Sequence, residues 1–226
     1  MIFERTKKLI GNENFTKLQN SNVYVIGVGG VGGFTAEFLV RAGVKNITII
    51  DYDNIDITNI NRQIIATTLN VGKSKVEEFK NRLLSINPNL HINAIKDRIT
   101  KDNLDTYIKD PDYIVDCIDD INNKVELICF AKEKGYNIIS SMGVGNRYKL
   151  TTYKVMDIYK TQEDKLAKVL RKKLRDRGIK KLDVVCSLDK PEEIEGSTIA
   201  SISYLPPMCA SVLAGYVVNR LIELWW

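Results

Sequence analysis

Histidine is almost absent from this chain: among 226 residues only His91 carries an imidazole. A multi-histidine metal centre is therefore excluded, and a Ser-His-Asp relay would have to be built on that one residue. His91 sits in Asn89-Leu90-His91-Ile92-Asn93, entering a strand, and reads as structural. Cysteine is sparse as well. Cys117, Cys129, Cys186 and Cys209 are widely spread and form no C-x-x-C pair, which argues against a zinc ribbon and a disulfide scaffold. They read as ordinary thiols in a reducing compartment. No uninterrupted apolar stretch reaches the roughly 18 residues a membrane span needs. The longest candidate, residues 204–218, is broken by Pro206-Pro207. The start, Met1-Ile2-Phe3-Glu4-Arg5, is charged and has no apolar signal core. A soluble cytoplasmic protein with no membrane partner is expected.

What is present is an alternation of strand and helix signals, the pattern of a mostly parallel sheet with helices on both faces. Strand signals fall at 23–26, 46–51, 92–95, 113–116 and 137–141. Helices are expected over 34–42, 74–86, 102–108 and 122–134, with Gly43 closing the first and Asn87-Pro88 the second. The composition shifts near residue 147. Beyond it the sequence predicts a strand over 149–155, a basic helix over 164–177, a short strand over 184–187, an acidic loop over 188–196 and a buried helix over 207–224. The expectation is a single α/β domain: a Rossmann-like nucleotide-binding core, 1–147, and a C-terminal elaboration, 148–226.

The first functional signal is Gly27-Val28-Gly29-Gly30-Val31-Gly32, which follows a strand and opens a helix. Glycines at 27, 29 and 32 let backbone N–H groups approach a phosphate, and the helix N-terminus adds a favourable dipole. Asp51, ending the next strand, stands about where an acidic residue binds ribose hydroxyls. Taken alone, these features fit an NAD-dependent dehydrogenase equally well. Gly72-Lys73-Ser74 resembles the end of a P-loop, but Thr67 occupies the position of its first glycine.

The segment after Asp51 favours a different chemistry. Residues 51–63 are dense with polar groups, and Arg62 and Lys75 can both reach a polyphosphate, one as a planar fork and the other as a point charge. Asp119-Asp120 follows the 113–116 strand at the carboxyl edge of the sheet, a place suited to Mg²⁺ facing phosphates. A phosphate cradle, two cations and a metal carboxylate describe nucleotidyl transfer better than hydride transfer.

These motifs, with Asp51-Tyr52-Asp53, Thr58-Asn59-Ile60-Asn61-Arg62-Gln63, Gly72-Lys73-Ser74-Lys75 and Asp116-Cys117-Ile118-Asp119, resemble the ThiF/MoeB/HesA superfamily. Those are bacterial relatives of ubiquitin-activating enzymes. The resemblance implies that Gly27, Gly29, Gly30, Gly32, Asp51, Asp53, Asn59, Arg62 and Lys75 bind ATP, with Asp51 on the ribose and Asn59, Arg62 and Lys75 on the phosphates. It implies Asp119 as the Mg²⁺ ligand. It also implies that Arg5 reaches a partner subunit's site, and hence a homodimer. Asp120 stands where many relatives have Asn or Ser.

The second half narrows the resemblance. Met142-Gly143-Val144-Gly145-Asn146-Arg147, residues 155–161, Val184-Val185-Cys186-Ser187 and Ser201-Ile202-Ser203-Tyr204-Leu205-Pro206-Pro207 are similar to the tRNA threonylcarbamoyladenosine dehydratase branch. Lys149-Leu150-Thr151 replaces that branch's Asp-Pro-Thr-like turn. The implied activity is ATP-dependent cyclisation of the modification's side chain through an adenylated carboxylate. The alternative is adenylation of the C-terminus of a ubiquitin-like sulfur carrier; such enzymes typically carry two C-x-x-C pairs, and this chain has none. A sulfur-transfer partner and a monovalent cation remain open.

The net charge of +5 is unevenly spread. Nine Lys and Arg side chains crowd residues 165–181, and Lys168, Arg171, Lys172 and Arg175 recur at three- and four-residue spacing, so they can share one helix face. With few acidic neighbours, that face is expected to bind tRNA rather than serve only as a solvated surface. Cys186 lies where some relatives place a transfer cysteine, but the branch context argues against that role. The closing Trp225-Trp226 carries no assigned role.

Overall fold

Five short, β-rich strands of the first half, β1 (Asn22–Ile26), β2 (Asn46–Ile50), β3 (His91–Ile95), β4 (Tyr113–Asp116) and β5 (Ile138–Ser141), pair in parallel. Two more, β6 (Tyr153–Asp157) and β7 (Asp183–Ser187), extend the sheet to the order β3-β2-β1-β4-β5-β7-β6, with β6 alone antiparallel. This is a computed structural model, and it describes residues 2–196 and 199–223. Trp225, Trp226 and the predicted end of the last helix at Leu224 lie outside the described residues.

Side chains alternate across the strands and so build two cores, one on each face. Val23 and Val25 of β1, with Ile47 and Ile49 of β2, pack under helices α2 (Gly32–Ala42), α3 (Lys75–Ile86) and α7 (Leu205–Leu221). Tyr24 and Ile26, with Ile114 of β4, face α4 (Leu104–Tyr107), α5 (Ile121–Glu133) and α6 (Lys165–Asp176). A parallel sheet covered on both sides was the expected fold, and it is found.

The departures have local causes. Helix α1 (Glu4–Asn20) was not anticipated; it buries only Phe15 and Leu18 and is kinked at Gly11 (φ 83°), so no amphipathic pattern announces it. The strand expected over 149–155 starts four residues later, at Tyr153. The partner strand explains the shift: Tyr153 pairs with Ser187, the last residue of β7, and past it the ladder keeps just one more bond, from Leu188 N–H to the Thr152 carbonyl at 3.3 Å. The last helix begins at Leu205, before the two prolines, because a first turn needs no intrahelical N–H donors and so tolerates proline. His91 is exposed at the start of β3, its Nδ1 2.9 Å from Asn46 Oδ1, which fits the structural role.

Chain order places β2 on one side of β1 and β4 on the other. Open α/β sheets bind ligands in the crevice outside the carboxyl ends at such a reversal. The glycine loop leaves β1 at that point.

Candidate nucleotide site and its rim

A cleft of about 660 Å³ opens at the carboxyl ends of β1, β2 and β4. It is within the usual range of small-molecule sites, roughly 300–1,000 Å³. Gly27, Gly29, Gly30, Asp51, Asp53, Asn59, Arg62, Lys75 and Asp119 all line it. Residues more than ninety positions apart are thus gathered on one sheet edge.

The loop glycines divide into two kinds. Gly27 has φ +83°, and a Cβ there would lie 2.8 Å from the Cys117 carbonyl oxygen; a Cβ on Gly32 would lie 1.8 Å from the Gly27 carbonyl oxygen. These two are demanded by the protein's own backbone. A Cβ on Gly29 would meet only Gln63 Nε2 at 3.7 Å, and one on Gly30 nothing closer than 3.5 Å. Protein packing does not require glycine at either position, so their bareness serves whatever occupies the cleft.

Asp51 ends β2 buried, and its carboxylate accepts the N–H groups of Val28 at 2.8 Å and Asp53 at 2.9 Å. It therefore fixes the glycine loop as well as facing the cleft. Burial pushes its carboxyl up from the ordinary value, and the Lys75 charge pulls the other way. Lys75 is itself buried at the start of α3, with its Nζ 2.7 Å from Asp53 Oδ2.

The polar stretch after β2 folds as a one-turn 3-10 helix, Ile57–Asn59, closed by a reciprocal cap. Asp56 accepts from Thr58 N–H at 2.8 Å, and Asn59 Oδ1 accepts from Asp56 N–H at 3.1 Å. Asn59 is thus partly structural. The turn aims Arg62 at the cleft, where Nη1 donates to the Thr58 carbonyl at 2.8 Å and to Asn61 Oδ1 at 3.1 Å. These are weak local tethers that a phosphate can displace.

Asp119 and Asp120, grouped by sequence, have separate jobs. Asp120 is the N-cap of α5, accepting Asn123 N–H at 2.8 Å. Both are exposed at the cleft wall, and Asp119 caps no helix. Among the described residues no cluster of three His, Cys, Asp or Glu could cage a metal ion. Arg5 lies exposed on α1 and does not line the cleft of its own chain.

Several site residues were not singled out from sequence. Asp116 and Lys124 form an ion pair of 3.0 Å with both side chains fully buried, and Lys124 Nζ also donates to the Ile118 carbonyl at 3.0 Å. The contact is ionic rather than a directed hydrogen bond to Asp116 Oδ2. Together with Asp116 Oδ1, which accepts Ile118 N–H at 3.1 Å, it fixes the loop that carries Asp119. The signal was legible: Lys124 falls at core spacing with Val125, Ile128 and Ala131 of an otherwise apolar helix face. Arg98 stacks over the Tyr52 ring at 4.0 Å on another wall, and that pairing has no sequence signature. Gln63, quoted in the motif but not counted as a ligand, lines the cleft with its Oε1 buried and unpartnered.

Helix α6 begins at the cleft. Asp164 caps it, accepting Ala167 N–H at 2.8 Å, and Lys165, Leu166 and Val169 line the mouth. Lys168, Lys172 and Arg175 are exposed beyond them, whereas Arg171 is half-buried, with Nη1 donating to the Thr161 carbonyl at 2.7 Å and to its hydroxyl. Three of the four expected cations therefore face solvent. Arg171 instead ties α6 to the 3-10 turn Ile158–Lys160. Burial pushes the Cys186 thiol up to about 12, making it a poor nucleophile at neutral pH.

Comparison with known proteins gives consistent matches. The ThiF family pattern covers residues 3–224. The chain is 37% identical to the tRNA threonylcarbamoyladenosine dehydratase of Bacillus subtilis, over 98% of this chain and 94% of that protein. It is 39% identical to tRNA threonylcarbamoyladenosine dehydratase 2 of Saccharomyces cerevisiae, covering 82% of this chain but 42% of the longer yeast protein. The crystal structure of the Escherichia coli tRNA N6-threonylcarbamoyladenosine dehydratase in complex with ATP superposes with a TM-score of 0.93 at 29% identity. That match covers 98% of this chain and 93% of the other.

Proposed function

This chain belongs to the ThiF family, and from that premise we propose that it is an ATP-dependent enzyme that dehydrates threonylcarbamoyladenosine in tRNA. The observation that carries the reading is the cleft itself, where two bare glycines, two displaceable cations and the exposed carboxylates of Asp119 and Asp120 meet at the carboxyl end of the sheet. Near full-length identity to a dehydratase supports the substrate.

The reaction follows from charge. The threonine carboxylate attacks the α-phosphorus of ATP, and pyrophosphate leaves. The neighbouring carbamoyl oxygen then attacks the acyl carbon, its N–H proton is lost, and AMP departs with the former carboxylate oxygen. Water is thereby removed at the expense of one ATP, without a covalent enzyme intermediate or a histidine. Gly29 and Gly30 admit the phosphates to the backbone, while Lys75 and Arg62 neutralise the charge that develops during transfer. Asp119 would hold Mg²⁺, which would supply charge neutralisation at the pyrophosphate. Asp51 positions the loop and faces the ribose.

The exposed face of α6, with Lys168, Lys172 and Arg175, binds the tRNA backbone. Arg5, exposed and not lining its own cleft, belongs to the site of a second copy in a homodimer. The four free thiols fit a reducing cytoplasmic setting, and no helix among the described residues is long and apolar enough to cross a membrane. The test is incubation with ATP, Mg²⁺ and either modified tRNA or a small carrier protein, followed by AMP measurement and mass spectrometry of the nucleosides. AMP formed with the tRNA, with the nucleoside lighter by one water, is expected. AMP formed only with the carrier protein would replace the substrate assignment.

A further inference from the structure

The rim of the cleft carries groups that neither the nucleotide nor a metal employs. The 143–147 loop after β5 runs between two neighbours. A Cβ on Gly143 would lie 3.0 Å from Asp164 Oδ2 at the cap of α6, and one on Gly145 would lie 2.2 Å from Ile199 Cγ2. Asn146, in the left-handed region at φ 55°, clamps the loop from the other side. Its N–H donates to the Ala200 carbonyl at 2.7 Å, its Oδ1 accepts Ala200 N–H at 2.8 Å, and its carbonyl accepts Glu192 N–H at 2.7 Å. The chain leaves this clamp in a fixed direction and presents Tyr148, 56% exposed. Tyr204, 39% exposed, donates its hydroxyl to the Tyr148 carbonyl, and the Lys149 ammonium sits 5.4 Å from the Tyr148 ring centre.

Two aromatic faces are therefore held in water by a well-bonded loop whose earlier residues line the cleft. Folding does not require their exposure. Asp164, the cap of α6, meets the same loop at Gly143, and Lys165, the next residue, lines the cleft, with Lys168 exposed one turn further along the helix. Two acidic residues nearby are paired, Glu192 with Lys149 at 2.8 Å and Glu193 with Lys190 at 3.1 Å, while Glu163 before α6 is exposed.

We propose that Tyr148 and Tyr204 form a stacking platform for unpaired bases of the RNA loop that carries the modified adenosine, with Lys165 and Lys168 holding its backbone. The inference rests on the RNA reading above and deepens it, naming single-stranded loop rather than duplex as the part recognised here. An adenosine stacked among its neighbours cannot bring its side-chain carboxylate into the cleft. Once it is splayed out, the flanking bases need new stacking partners, which aromatic side chains supply. Lysines alone would hold duplex and loop alike.

Fluorescence anisotropy with ATP present tests the idea on the full chain. The probes are an RNA hairpin bearing threonylcarbamoyladenosine in its loop and the same strand annealed to its complement. Tyr148→Ala is expected to weaken hairpin binding roughly 5- to 150-fold, while Tyr148→Phe stays within about twofold of wild type. Duplex binding should be equal for all three proteins, and ATP affinity, measured separately, reports that the fold is intact. Hairpin binding by Tyr148→Ala at the wild-type level would overturn the platform, as would equal loss for hairpin and duplex. AMP release is read in parallel. Wild-type protein that binds the hairpin but releases no AMP would refute the reaction assignment while leaving the platform supported or refuted by anisotropy alone.

Discussion

The cations of the β1–β5 half and those of α6 are held in opposite ways. Lys75 is buried against Asp53, and Arg62 is folded onto its own turn, so each must exchange an internal partner for a ligand. Lys168 and Lys172 stand in solvent on a helix whose opposite face, Ala167, Leu170 and Leu174, is fully buried. The first arrangement suits chemistry, where charge must be oriented and shielded from water. The second suits a long-range, salt-sensitive hold on a polyanion. One sheet supports both, with α6 starting at the rim of the cleft that the strands create.

If that contrast is right, substitutions in the two regions should separate cleanly. Among side-chain replacements, the largest effect belongs to the buried pair beneath the Asp119 loop. Lys124→Met strands Asp116 without its counter-charge and should cost about 3–5 kcal/mol of stability, read from urea unfolding. A loss under 1 kcal/mol would mean the pair is not what fixes the loop. Next come the cleft groups. Lys75→Met and Asp119→Ala should each lower kcat for AMP formation roughly 10²- to 10³-fold with KM for RNA little changed. An effect confined to KM would erase the distinction between the regions.

The glycines sharpen the comparison within the loop. Gly32→Ala, with its Cβ 1.8 Å from the Gly27 carbonyl oxygen, should prevent a stable fold, whereas Gly29→Ala should keep the wild-type Tm and lose ATP affinity in calorimetry. If Gly29→Ala bound ATP normally, phosphate approach at that position would be refuted. The smallest effect is on the helix. Replacing Lys168 and Lys172 together by Ala should leave kcat intact and reduce the slope of log affinity against log salt by about 2. An unchanged slope would move the tRNA contact elsewhere.

The fold was legible in the sequence where strands are buried on both sides, since apolar runs such as Tyr113–Asp116 end where their side-chain environment ends. It was not legible where pairing decides the boundary: the start of β6 depends on where β7 stops, which no local pattern encodes. Within the site, Gly27, Asp51 and Asp119 stand next to strands whose positions are readable, whereas Arg62 and Lys75 were named from their charge in a polar stretch and from the family motifs they sit in. Arg98 could not, because its partner Tyr52 lies on a neighbouring strand's loop. Arg171 was grouped with its helical neighbours by spacing alone. Its guanidinium is occupied by Thr161, ten residues away in sequence.

Adenylation of the substrate carboxylate is the step on which the proposed activity depends. Heavy-oxygen label placed in that carboxylate of the modified RNA, followed by mass spectrometry of the released nucleotide, tests it most directly. One labelled oxygen should appear in AMP, carried off when the carbamoyl oxygen closes the ring. The other carboxylate oxygen should stay in the nucleoside as the ring carbonyl; both labels retained there, label released into water, or ADP in place of AMP, would contradict it.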